Sequence, residues 1–507
     1  MLDSRNLRRF VFFLSLVLLV TAMILFRLDK KQRCLEVEIL SGQEDAWFQE
    51  YVYKDYSNYL LYNGQKAPID TQTSTIYIAQ DIEPGTKASD LLGSLKIVSS
   101  RHRLIFAPDE AFRNLDEAVA GNHPFQLYVT DHSGEYMTYN VVFTTLPVLR
   151  IDGEFFEYDQ KDREVNQGNL CLWTPKDPDS GRYSVKESDV HWHIRGGSTS
   201  YQAKIPWKLS LKKKTDANKN MSLVGLGSDD DWILNPMVLD DTKLKEHLFM
   251  QLWNQLAAET DWNLRMSSGH YVEVVMNQSY QGVYLLQRRI DEKYLNLGSE
   301  DILLKGQSVW EAATAADAYE IISSPLNEQD TYHLIQGFFD GSDPSILQQE
   351  NYLDVNLFLQ YASAYDNLGY KNMFFALQKK DDGYHLSMIP WDTDLSWGVV
   401  WSEGFVYDYQ DSFYNAPLRV EFETMQKHFP NLVPQLAQRW KELREGVLSE
   451  DTILTTFQTS VSQLTRCGVL ERDLQRWGQF YHGEDTTANL AQFLEEKLLL
   501  LDDYYSQ

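Results

Sequence analysis

The sequence predicts an α+β protein, and three observations carry that prediction. Residues 35–147 hold short runs rich in β-branched and aromatic residues, among them STIYIAQDI, FQLYVTD and YMTYNVVFTTL, cut apart by the turn signals EPGT, GNHP and DHSGE. From 148 onward, strand-like runs alternate with segments of helical period such as 241–258, DTKLKEHLFMQLWNQLAA, and 352–364, YLDVNLFLQYASA. The end of the chain, including LVPQLAQRWKELREGVL and LAQFLEEKLLLLDDYY, is mostly helical. No internal repeat, low-complexity tract or long polar linker interrupts this order.

Length and composition set the limits. A chain of 507 residues exceeds one ordinary core and predicts two or three domains, and a hydrophobic fraction of 43% with 13% aromatics is ample to fill them. The formal charge of −27 argues against a protein that holds nucleic acid through its overall field. Cys34, Cys171 and Cys467 allow at most one internal disulfide, and no CxxC or Cys/His spacing suits zinc.

Residues 10–26, FVFFLSLVLLVTAMILF, are apolar apart from Ser15 and Thr21. As a helix they extend about 25 Å, and Arg9 and Arg27 can snorkel to cover the remainder of a bilayer core of about 30 Å. Arg5, Arg8 and Arg9 would also suit a signal peptide, but FRLDKKQRC offers no small-x-small cleavage site. The expectation is a single-pass membrane anchor over 1–34 with a short cytoplasmic tail and the bulk of the chain extracytoplasmic. Lys30, Lys31 and Arg33 after the span weaken the charge signal for that orientation. A small Ig-like β-sandwich over 35–147 follows, and a larger mixed domain over 148–507.

Three segments of the larger domain carry chemistry. The first is HIRGGSTSYQAKIPWKLSLKKK at 193–214. Its glycines let a ligand approach the backbone, its amides and hydroxyls can meet phosphate oxygens, and Arg195, Lys204 and Lys208 supply charge. Read alone it is equally a turn followed by a strand with a solvated basic face. The second is AYDNLGYKN at 364–372, where Asp366 and Asn372 follow an apolar helix as do the Asp that orients an acceptor hydroxyl and the Asn that binds metal in protein kinases. A helix cap and a turn residue are the plain alternative. The third is MIPWDTDLSWG at 388–398, after a probable hairpin around a DDG turn. Asp392 and Asp394 lie two apart and, on an extended chain, would point to one side as ligands for a hard cation. Two capping acids, or the carboxylate pair of a glycosidase, fit these residues too, although a glycosidase leaves the basic glycine-rich segment unexplained. A phosphate-binding loop, an Asp…Asn loop, a hairpin and a metal carboxylate, in that order, make a phosphotransferase site.

With these elements on the page, the chain from about 146 to 400 resembles the CotH family, the spore-coat-type atypical protein kinases. The segments are LPVLRIDG, IRGGSTSYQAKIPWKLSL, WILNPMVLDDTKL, the hairpin NQSYQGVYLLQRRID, AYDNLGYKNMFFAL and IPWDTDLSWG, in family order. The resemblance implies a divergent protein-kinase-like fold, ATP with Mg²⁺ or Mn²⁺, and phosphorylation of Ser or Thr in surface or coat proteins. It further implies Asp366 as catalytic aspartate, Asp392 as metal ligand with Asn372 and Asp394, and Arg195, Ser198, Lys204 and Lys208 around the phosphates. Three departures mark this chain. The Asp-to-Asn gap is six where five is frequent, Gln287 or Arg288 stands where many members carry Glu, and Lys245-Glu246 replaces the usual Arg-Asn. A catalytically vestigial surface scaffold of the same fold is the alternative function.

Lesser signals are His191 and His193 on one strand face, the GLG of 225–227, which is no nucleotide fingerprint, and the aromatic stretch 405–414.

Overall fold

The computed structural model describes residues 34–40, 48–83, 85–154, 164–307, 312–400, 404–405, 422–481 and 483–506. The expected anchor at 10–26 and nearly all of 405–414 lie outside the described residues. Among the described residues no helix is long and apolar enough to cross a membrane. The chain divides into two compact units at Phe143/Thr144, close to the boundary expected near 147, with residues 120–122 grouped with the second.

The first unit is β-rich, with its strands in a single hydrogen-bonded order. Cys34–Ile39 belongs to two ladders: its first half pairs antiparallel with Leu95–Val98, its second half parallel with Arg103–Ala107. Strands Arg103–Ala107, Phe125–Thr130 and Glu135–Thr144 continue as an antiparallel meander. Period-2 alternation sends Leu127 and Val129 inward with Met137, Tyr139 and Val141. The Tyr62 hydroxyl donates to the Ala79 carbonyl at 2.9 Å, tying the 60–62 and 75–79 strands across the core.

The second unit begins with a closed seven-stranded barrel, in the order Val148–Gly153, Asn166–Thr174, Ser184–Ile194, Trp207–Lys212, Asp231–Asn235, Ser279–Arg288, Gly269–Met276. Closure comes from the parallel pairing of Val148–Gly153 with Gly269–Met276. The hairpin expected around NQSYQ is present, with Tyr271 opposite Leu285. Alternation again sorts the strands: Trp207, Leu209 and Leu211 fill the barrel, while Lys208 and Ser210 face out. A four-stranded antiparallel sheet follows, ordered Tyr319–Ser323, Ile302–Gly306, Met373–Lys380, Gly383–Pro390, and its last two strands are the predicted DDG hairpin. Helices surround it. Gln349–Ala362 is buried on every side from Asn351 onward, and Asn351 fastens it to the hairpin by exchanging two hydrogen bonds with the Met388 backbone, at 3.0 and 2.6 Å.

The helix Val469–Trp477 packs across the barrel hairpin through two neighbouring residues. Arg472 meets Glu273 in a bidentate pair at 2.9 and 2.6 Å. Asp473 accepts from Lys204 at 2.7 Å, from the Val283 N–H at 2.9 Å and from the Tyr481 hydroxyl at 2.7 Å. Here the glycine of GVYLL has its physical reason. A Cβ at Gly282, whose φ is +85°, would lie 2.0 Å from the Asp473 carboxylate.

Lys204 is therefore a correction to the sequence reading. Expected beside the phosphates, it is 1% exposed, with its ammonium held by Asp473 and the Val283 carbonyl. Burial pulls its pKa down to about 8 against the opposing charge of Asp473. Removing one partner of such a pair leaves an uncompensated buried charge. Asp473→Ala is expected to cost about 3–5 kcal/mol in urea denaturation. Adding Lys204→Met should recover part of that loss, whereas additive losses would show that the pair carries no coupling.

Candidate active site

A cleft of about 990 Å³ lies between the outer face of the barrel and the four-stranded sheet, a volume suited to a small-molecule ligand. The barrel side contributes Arg195, Lys208 and Arg289; the sheet side contributes Lys305, Asp366, Lys371, Asn372, Asp392 and Asp394. Most of the sequence-predicted residues thus meet in one place. The Ser198 side chain lies outside what is described, and Lys204 sits in the barrel's ion pair with Asp473 instead.

The basic loop takes its shape from Gly196, at φ +88°, where a Cβ would lie 2.5 Å from the Thr199 hydroxyl oxygen. Arg195 sits over the Trp391 ring at 5.7 Å, a cation–π contact joining the loop to the sheet side. Lys208 pairs with Asp231 at 2.9 Å, and Arg289 reaches the same carboxylate at 3.2 Å. Burial raises the Asp231 pKa, but the hydrogen bonds from Lys208 and Ser210 outweigh it and hold the carboxyl low. Lys305, which sequence reasoning missed, is half-buried on Ile302–Gly306. Burial and the nearby Arg195 lower its pKa, while Glu320 and Asp392 oppose the shift. Only its place on a strand edge of the cleft marks it, and ILLKGQS shows nothing of that.

The Asp366 loop starts where the buried helix stops. Ser363, in the left-handed region at φ +48°, ends Gln349–Ala362, and Tyr365–Tyr370 forms a 3₁₀ turn. Lys371 donates to both Asp366 oxygens, at 2.8 and 2.9 Å, and Asn372 Nδ2 donates to Oδ2 at 2.7 Å. The six-residue gap therefore still brings Asp and Asn together. Asn367 Nδ2 donates to the Asn372 carbonyl at 2.9 Å and the Trp391 carbonyl at 3.0 Å, and the Trp391 N–H donates to the Asn372 carbonyl at 2.9 Å.

Asp392 and Asp394 converge, but not as expected. The chain is not extended there: Asp392 has φ +55°, a left-handed conformation that Asp tolerates better than most residues. Their third partner is Glu246, from the first turn of Lys245–Glu259. Oxygens of Glu246, Asp392 and Asp394 all lie within 4.8 Å of one another, the arrangement a hard cation needs. Glu246 is 1% exposed; its Oε1 accepts from Gln287 at 3.1 Å, while Oε2 is buried with no hydrogen-bond partner. Burial, then the charge of Asp392, pushes its pKa up to about 8. Asp392 is raised by burial against the pull of Arg195, and Asp394 is raised well above the carboxylate range by burial and by Asp392. Oxygen donors, crowded negative charge and an orphaned buried oxygen suit a divalent metal.

The other departures are structural. Arg288 pairs with Asp229 at 2.6 Å, and Lys245 is buried between Asp240 at 3.1 Å and Asp485 at 2.5 Å. His191 meets Asp216 at 3.1 Å, whereas His193 lines the cleft.

A pH dependence follows for chelator-treated protein. Between pH 4.5 and about 8 the folded chain holds the Glu246 proton that the unfolded chain has released, so stability falls as pH rises through that window and levels off above it. Asp394 acts in the same direction. Urea denaturation at pH 5 to 9 should give a smaller slope for Glu246→Gln than for wild type; equal slopes would contradict the shift.

A family model described as CotH kinase protein matches residues 192–499, from the barrel strand that leads into the basic loop to the last helix. No curated protein matches the chain. The match spans the cleft, the Asp366 loop and the acid cluster and covers more than half of the sequence, and the chain belongs to the CotH kinase family.

Proposed function

We propose that this chain is an atypical protein kinase that transfers the γ-phosphoryl group of ATP to Ser or Thr hydroxyls of a protein substrate. The observation that carries the reading is that one cleft gathers the cations Arg195, Lys208 and Lys305 with Asp366, Asn372, Asp392 and Asp394. Asp366 orients the acceptor hydroxyl and takes its proton as the new oxygen–phosphorus bond forms and the bond to the ADP oxygen breaks. Arg195, Lys208 and Lys305 offset charge on the phosphate oxygens, with Lys305 in the role first expected of Lys204. Asp392, Asp394 and Asn372 would hold Mg²⁺ or Mn²⁺, which when bound neutralises phosphate charge. Lys371 keeps the Asp366 carboxylate aligned until substrate arrives. The apolar 10–26 segment supports anchoring in the cell membrane with the bulk of the chain outside the cytoplasm, and surface or coat proteins as substrates.

A scaffold reading draws on one observation: Lys371 and Asn372 engage both Asp366 oxygens. Calorimetry with full-length protein separates the two. ATP should bind only with Mg²⁺ or Mn²⁺, and Asp392→Ala should abolish binding. Asp366→Asn should retain ATP and lose about 10²–10⁴-fold in phosphoryl transfer to a test protein. Absence of ATP binding with either metal in folded protein would sink the kinase reading and favour the scaffold.

A further inference from the structure

Protein kinases commonly present one or two protein carboxylates to Mg²⁺, with nucleotide phosphates and water completing the shell. Such a site is weak until the nucleotide arrives. This chain differs through Glu246, which comes from a helix far away in sequence from the Asp392 turn.

We propose that Glu246, Asp392 and Asp394 form a resident site for one hard divalent cation, Mg²⁺ or Mn²⁺, that fills in the absence of nucleotide. The inference deepens the reading above and rests on it only for the cation's place in the reaction, not for the site. The three carboxylate oxygens lie within 4.8 Å of one another, which small side-chain rotations close onto an ion with metal–oxygen distances of about 2.1 Å. Three carboxylates supply enough charge to retain a divalent ion without phosphates.

The orphaned Oε2 of Glu246 is the second, independent observation. Buried polar atoms are nearly always paired, and this oxygen, on a residue 1% exposed, makes no hydrogen bond of normal geometry among the described residues, the Thr393 N–H lending the carboxylate only a minor pull. Its sequence neighbour cannot serve it, because the Lys245 ammonium is committed to Asp240 and Asp485. That ion-pair lock also fixes the start of the helix that carries Glu246. Gln287 donates to Oε1 at 3.1 Å and sets the carboxylate plane. The acid is thus on the helix, with a neutral amide across from it.

The test is Mn²⁺ alone, titrated into chelator-treated full-length protein without nucleotide and followed by loss of the free-ion electron paramagnetic resonance signal. Wild type should take up one tight Mn²⁺ per chain, with a rise in thermal midpoint. Glu246→Gln should bind at least tenfold more weakly. Its metal-free thermal midpoint, at or above that of metal-free wild type, would show that it folds. The proposal is overturned if folded wild type takes up no Mn²⁺ without nucleotide, or if Glu246→Gln binds as tightly, which would assign the uptake to surface acids. Mn²⁺ bound with no ATP binding would uphold the site and sink the kinase reading. ATP·Mn²⁺ bound with no uptake of Mn²⁺ alone would do the reverse.

Discussion

Asn367 is buried between two turns that would otherwise be independent. Its amide donates to the Asn372 carbonyl on one side and the Trp391 carbonyl on the other, while the Trp391 N–H returns a hydrogen bond to Asn372. Asp366 and Asn372 belong to the first turn, Asp392 and Asp394 to the second. The distance between Asp366 and the Asp392–Asp394 turn is therefore set by one side-chain amide and one backbone bond. Both turns also rest on rigid supports, the buried helix Gln349–Ala362 and the hairpin that Asn351 fastens to it. Left-handed residues cluster here: Ser363, Asn372, Asp392 and Trp397 all have positive φ. Strained backbone persists only where surrounding structure over-determines it, and here the surroundings are hydrogen-bonded on both flanks.

Electrostatics in this domain are organised in two tiers. Structural pairs are closed: Lys204 with Asp473, Lys245 with Asp240 and Asp485, and Arg472 with Glu273 all lie away from water with their partners in place. Such pairs contribute little net stability but make a wrong packing expensive, since any misplacement strands a charge. In the cleft the balance is left open. Glu246, Asp392 and Asp394 crowd like charge together with Arg195 and Lys305 only partly offsetting it, and all three carboxyls are shifted upward. The fold satisfies its buried charges elsewhere and leaves here a concentration of negative charge that a cation would neutralise.

The sequence announced what is local. Period-2 alternation in WKLSLK, the two hairpin turns, and the helices at 241–258 and 352–364 are legible because a strand or helix face is written in consecutive residues. Asp366, Asn372 and Asp392 were legible as well, since each follows a regular element whose end could be placed. The barrel was not. Its closure depends on Val148–Gly153 finding Gly269–Met276, a parallel pairing between distant segments that leaves no mark on either. Lys204 misled for a related reason. It lies in a basic, glycine-rich stretch, and only the position of Asp473, near the far end of the chain, shows that the charge is turned inward.

Glu246 is the instructive case, because its signal was visible but read in isolation. Lys245-Glu246 and Gln287 or Arg288 stand in the sequence as separate departures from the family pattern. In the folded chain they are one arrangement: the glutamine amide donates to the glutamate carboxylate, and the lysine beside it is engaged by two other acids. Glu246 carries its charge on the helix within reach of Asp392 and Asp394, with a neutral amide facing it. Counting departures would rank this chain as a degraded member of its family. The folded arrangement instead is a cluster of three carboxylates whose buried partners are already in place.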